Sequence, residues 1–252
     1  MPLPQTSGRS SPSARSLDLP PPFRLVMLRE VGDAFAHACA RGAELGAGAL
    51  VVVGRFDVAE FAVVLEPDEP LAAARRIFYL GMIALGDALA ALAPPEKPIA
   101  IEWPDAFRVD GGLVGGGRLG WPAQGDERAR PDWLVFGAAI RTSSANPMSM
   151  APQALATALD DEGFGDVGAA HLVESFARHL MAAIDRWQED GFAAIAGDYL
   201  ARLHPLRGVR HALEENGDLC SLRPGKPGEH RALLPALQAP SWLDPTSGEL
   251  RR

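Results

Sequence analysis

Residues 101–121 read IEWPDAFRVDGGLVGGGRLGW. Trp103-Pro104-Asp105 is a turn closing a hydrophobic run that begins near Pro98. A strand is expected over 106–110, an Asp110-Gly111 turn follows, and a second strand over 113–119 carries Gly115, Gly116 and Gly117 before Arg118. An Asp-Gly pair between two apolar runs is a hairpin signal. Three glycines on one strand let another group approach the backbone closely. That group can be a ligand, or a neighbouring helix or bulge packed in the ordinary way.

Outward from this hairpin the chain alternates between strand and helix patterns. Phe23–Leu28, Ala49–Val53 and Glu60–Glu66 are short apolar or β-branched runs, the pattern of buried strands. Asp33–Arg41 is Ala-rich and helical, with Gly42 as its expected stop. Asp68-Glu69-Pro70 opens one long helix over 70–92, since proline and acids suit a first turn. Trp133–Arg141 reads as a buried strand and 143–165 as irregular. Gly168–Asp190 carries Leu172, Val173, Phe176, Leu180, Ile184 and Trp187 at helical spacing, and a second helix, Phe192–Leu203, follows a glycine break. After Gly208 the pattern changes to short strands and loops: RGVRHALE, NGDLCSL and HRALLPAL. Strands in one block and helices in others point to an α+β fold. The expected division is a disordered leader over 1–22, a main domain over 23–205 and a small β subdomain with tail over 206–252.

The chain has 252 residues, 47% hydrophobic and 22% charged, with a net charge of -8, ordinary values for a globular protein. That balance argues against a sequence-independent grip on nucleic acid, which needs clustered Lys and Arg. No apolar run reaches bilayer length, so no membrane span is expected. Cys39 and Cys220 have no metal spacing, which fits a reduced, cytoplasmic protein. The six histidines are scattered, and no metal site is expected.

The hairpin and the order of segments around it resemble the biotin/lipoate protein ligase family. That family's pattern runs Trp-Pro-Asn-Asp, strand, turn, Lys, then a small residue and Gly. REVGDAFAHACARGAELGAGALVVVGR is similar to its opening motif, helix, Gly-rich turn and strand. EFAVVLEP, DWLVFGAAIRTSSANP, DRWQEDGFAAIAGDYLARL and LEENGDLCSL resemble later segments in the same order, from about residue 25 to 223. The resemblance implies a class II synthetase-like fold, a mixed and largely antiparallel sheet flanked by helices, with a small C-terminal β subdomain. It also implies a chemistry: ATP and magnesium activate biotin, lipoate or a similar acid as an adenylate for transfer to a protein lysine.

Set against the family's pattern, the chain departs at the residues that matter for adenylation. Leu113 stands where the family has its hairpin lysine, and Asp105 and Ala106 stand where it has Asn-Asp. Of its Gly-Arg-Gly-Arg substrate loop only Gly54-Arg55 remains. Lys97 and Lys226 are the only lysines, and neither is placed to substitute. Arg118 and Arg55 are the candidates for the lost positive charge, since arginine grips carboxylate and phosphate in bidentate fashion; each also reads as an ordinary solvated arginine. Gly54, Trp103, Asp105, Gly115, Gly116 and Gly117 are the candidate ligand-binding residues. On this reading Gly116→Val abolishes ligand binding and leaves the melting temperature near wild type. Two functions stay open: a working ligase, or a pseudoenzyme that binds a small carboxylic acid or a lipoyl or biotinyl carrier domain without ATP chemistry. SWLDP in the tail reads only as a turn with a Trp anchor.

Overall fold

The computed structural model describes residues 17–144, 156–165 and 167–251. The strands predicted before residue 142 all join one sheet. Its strands are β1 (Arg24–Leu28), β2 (Ala49–Val53), β3 (Val58–Leu65), β4 (Ile99–Glu102), β5 (Ala106–Val109), β6 (Gly112–Gly120) and β7 (Leu134–Arg141), in the order β1-β2-β3-β7-β6-β5-β4. Only β1 and β2 run parallel, joined by helix α1 (Ala34–Leu45) in the crossover that a parallel pair requires. Helices α2 (Leu71–Ala74), α3 (Ile77–Leu92), α4 (Ala169–Arg202) and α5 (Leu233–Gln238) complete the chain with a small antiparallel sheet, β8 (Arg210–Leu213), β9 (Leu219–Leu222) and β10 (Glu229–Arg231). The structure is therefore α+β, a mixed sheet flanked by helices with a small C-terminal sheet, as expected.

Alternation along the strands divides the apolar residues between two faces. On one, Phe61, Val63, Phe136, Ala138 and Ile140 join Phe78, Met82, Phe176 and Leu180 of α3 and α4 in the main core. On the other, Ala62, Val64 and Val135 pack against Ala34 and Ala38 of α1. Further along that face a third cluster holds Val58, Ala106, Leu113 and Ala139 around Trp242.

Several local readings change. Gly42 lies inside α1 because Trp133 packs against it; a Cβ there would sit 2.6 Å from the indole. The helix ends instead at Gly46, at φ 70°, whose N–H reaches the Gly42 carbonyl. The expected long helix over 70–92 is two helices. Phe78 and Tyr79 bond back to the carbonyls of Arg75 and Arg76, a tightened turn that leaves Arg75 free to pair with Glu127 and Arg76 with Glu69. In HRALLPAL the residues from Leu233 form a helix, with Leu233 and Leu237 buried one turn apart. Gly191, at φ 73°, breaks α4 where expected. Residues 1–16 of the predicted leader lie outside the described residues, but Leu17 and Leu19 pack against the main core. Within the irregular stretch, 145–155 also lie outside them. The tail from Ser241 does not stay with the small sheet: it crosses to the main sheet and buries Trp242 there.

Candidate functional site

The glycine strand faces both layers. Gly117 points to the main core, where a Cβ would lie 2.6 Å from the Met82 sulfur and 3.0 Å from Phe136. Gly116 points the other way; a Cβ would meet the Asp105 carbonyl oxygen at 2.1 Å and the Trp242 indole at 2.3 Å. Gly115 sits at φ 144° beside a register shift between β5 and β6, with the Ala139 carbonyl 2.0 Å from where a Cβ would be. All three positions therefore exclude side chains for packing reasons. Gly116→Val meets backbone as well as the indole, so it disturbs the fold and is not the clean probe of binding that the sequence suggested.

Trp242 fills the space above Gly116. The indole is 0% exposed and donates its Nε1–H to the Gly117 carbonyl at 3.0 Å. Leu113 belongs to the apolar cluster around it. The preceding Ser241 donates its backbone N–H (2.9 Å) and hydroxyl (2.5 Å) to the two oxygens of Asp105. Asp105 is 1% exposed, and burial pushes its carboxyl up to about 6 against the lowering effect of the Ser241 bonds. Asp105 therefore fastens the tail, and its carbonyl accepts the Gly117 N–H at 2.9 Å.

Beside Trp242 lies a charged cleft of about 340 Å³ between the start of α1, the 54–57 connection and the tail. Arg55, Arg118 and Arg141 line it, together with Asp33, Asp57, Glu60 and Glu249. Arg118 donates to Asp33 Oδ1 at 3.0 Å, and its guanidinium stacks 4.1 Å from the Phe35 ring. The same Asp33 oxygen caps α1 by accepting from the Ala36 N–H at 2.8 Å, an arrangement favoured at a helix N-terminus. Arg55 is held by both oxygens of Asp57, at 3.1 and 3.0 Å, and this pairing holds the Asp57 carboxyl below its ordinary range. Glu60 accepts the first amide of α1, from Ala34, at 3.0 Å; burial raises its carboxyl. Arg141 donates to the carbonyls of Thr157 and Arg251.

Three arginines thus stand against four carboxylates, and the two arginines singled out from sequence are already paired within the chain. The connection from β2 to β3 is residues 54–57 alone. It is pinned to the end of β7, where Thr142 and Ser143 donate their N–H groups to the Asp57 carbonyl and the Thr142 hydroxyl donates to Phe56. No length is left there to fold over a ligand.

The structure brings Arg55, Arg118 and the glycine strand together, with Asp105 beneath the tail. Gly54 falls outside the cleft, its N–H on the Leu28 carbonyl. Trp103 lies elsewhere: its Nε1–H reaches the Tyr79 hydroxyl at 3.2 Å, Arg231 stacks on it at 4.4 Å, and it lines a separate cleft with Arg108, His204 and His211. The sequence reading missed Asp33, Glu60 and the Ser241-Trp242 pair.

Cys39 is half-buried, and desolvation pushes its thiol up to about 11, which suits a structural cysteine and not a nucleophile. Cys220 belongs to the one cluster among the described residues that could hold a metal, with Glu214 and His230, a grouping the sequence did not signal. Its closest contacts use different imidazole nitrogens, Nδ1 to Glu214 at 2.8 Å and Nε2 to the Cys220 sulfur at 3.9 Å. As it stands it is a hydrogen-bonded relay on an exposed face.

The profile of the Biotin/lipoate A/B protein ligase family matches residues 19–201. A biotin protein ligase-like protein of unknown function from Silicibacter sp. TM1040 superposes with a TM-score of 0.72 at 31% identity, over 85% of this chain and 96% of that one. The Aquifex aeolicus biotin protein ligase in complex with biotin and ATP gives 0.62 at 15% identity over 82% and 95%. The Leishmania major biotin protein ligase in complex with biotinyl-5-AMP gives 0.55 at 15% over 84% and 99%. Among curated proteins nothing matches.

Proposed function

The chain belongs to the biotin/lipoate A/B protein ligase family, and from that premise we propose that it binds a small carboxylic acid of the biotin, lipoate or octanoate type, free or on a carrier domain, without adenylating it. The observation that carries this reading is the state of the cleft's cations. Adenylation builds negative charge on the carboxylate and α-phosphate, and that charge needs preorganised positive groups. Here Leu113 supplies none, while Arg55 and Arg118 are held by Asp57 and Asp33.

A nucleoside triphosphate does not fit this cleft. It would bring several negative charges to a place where acids already outnumber arginines and where Glu60 occupies the leading amide of α1. A single carboxylate is a smaller demand. It can take Arg118 from Asp33 while Asp33 keeps its bond to the Ala36 amide, so one ion pair replaces another and α1 stays capped.

Calorimetric titration with biotin, lipoate and octanoate, with and without ATP and magnesium, tests the reading. The expected result is binding that ATP leaves unchanged and that Arg118→Ala weakens. Asp33→Asn, which keeps the cap but removes the competing charge, should tighten it. Affinity unaffected by both substitutions would remove Arg118 from the site. Failure of all three acids to bind both the wild type and a variant with the Trp242 side chain removed would refute a small-acid role.

A further inference from the structure

The tail from Ser241 is built differently from everything it touches. It adds no strand to the main sheet. Its backbone bonds are mostly to itself: Asp244 N–H to the Glu249 carbonyl, Gly248 to Asp244, and Arg251 to Trp242. Asp244 also accepts the amides of Thr246 and Ser247 at 2.8 and 2.9 Å, and Leu243 bridges Leu250. This self-bonded loop is held down by one indole, the two Ser241 bonds to Asp105, Leu243 and Leu250 against the apolar cluster, and Arg141 reaching the Arg251 carbonyl.

The bed beneath the indole has the character of a socket for a flat ring. Its sides are small or apolar (Gly116, Ala106, Ala139, Val58 and Leu113). Its polar groups are all acceptors toward the tail: the Gly117 carbonyl and the two Asp105 oxygens. The socket adjoins the charged cleft, since Val58, Ala139, Trp242, Leu243 and Leu250 belong to the apolar cluster and also line the cleft.

We propose that Ser241–Leu250 is a displaceable intramolecular plug, with Trp242 as a self-ligand in a socket that takes a planar or compact ring carrying N–H or O–H donors. This rests on the small-acid reading above: the acid's carboxylate reaches Arg118 and its body takes the place of the indole once the plug lifts. Leu113 belongs to the same arrangement. A lysine there would be stripped of water by the indole, whereas leucine packs with it.

A plug that is closed most of the time reduces apparent affinity by the fraction open, and a self-bonded loop outside the sheet can open without global unfolding. Hydrogen exchange on the full chain should therefore show the Ser241 amide and the Trp242 indole N–H, the two tail donors bonded to the main sheet, exchanging through a local opening, well ahead of Phe61–Val64 in β3. Biotin, the one of the three acids whose ring carries N–H donors, should bind Trp242→Ala about tenfold or more tighter than wild type. If that variant fails to fold, Ser241→Ala, which removes the hydroxyl latch bond to Asp105, should shift both readouts the same way by a smaller amount. Exchange of the tail only with global unfolding, or probe affinity that neither variant changes, overturns the plug while leaving acid binding standing. Local opening with no probe bound by wild type or either variant keeps the plug and removes the small-acid reading.

Discussion

On the α3/α4 face of the main sheet, the Phe176 ring centroid lies 4.6 Å from that of Phe61 and 5.8 Å from that of Phe136, inside one continuous apolar cluster. On the opposite face the same strands present Glu60, Arg118 and Arg141 between two small clusters, one under α1 and one under Trp242. Gly116 and Gly117 condense the contrast into adjacent residues, one beneath the tail and the other beneath Met82 and Phe136. One face supplies the burial that holds the sheet; the other uses side chains in pairs that can be exchanged. Leu113, Arg55 and Arg118 all border the second face.

The first way to break the comparison is through the packed face. Phe136→Ala should destabilise by about 3–5 kcal/mol, read by denaturant unfolding, because Gly81 and Gly117 already press against that ring and cannot close the cavity with side chains. A cost near zero would mean the two faces are equally plastic. Next is Asp105, whose carboxyl is raised from 3.8 to about 6 by burial. Since the folded state holds this proton more tightly, its stabilising contribution is fully present below the unfolded value and is lost as pH rises through about 6. Stability relative to Asp105→Asn should fall across that window by at most about 3 kcal/mol; a parallel pair of pH profiles would remove Asp105 from the account. The smallest effect is expected at Arg118. Its pair with Asp33 is partly exposed, so Arg118→Ala should cost about 1 kcal/mol or less of stability while weakening acid binding.

Most of the fold was legible because it depends on local pattern. β-branched runs, the Asp110-Gly111 turn and the apolar spacing of 172–187 all report on neighbours within a few residues. Gly42 shows the limit: a local stop signal is overridden because Trp133, remote in sequence, packs on the helix at that point. The site was legible only as positions. Arg118 and Arg55 could be named, but the cap residue that neutralises Arg118 is 85 residues away, and charge without its partner says little about chemistry. Trp242 bonds a strand 125 residues earlier. A single tryptophan in a short loop segment has no period to betray its destination, so SWLDP could be read as an anchor without a surface to anchor to.

On the function proposed above, the protein keeps a ligand-facing sheet and binds its acid without adenylation. The most direct test is pyrophosphate release from ATP and magnesium in the presence of biotin, lipoate or octanoate, run on the wild type and on Trp242→Ala so that a closed plug cannot hide activity. The account predicts no acid-dependent release from either protein. Release from either one would contradict it, and would mean that the arginines of the cleft do the work of the missing lysine.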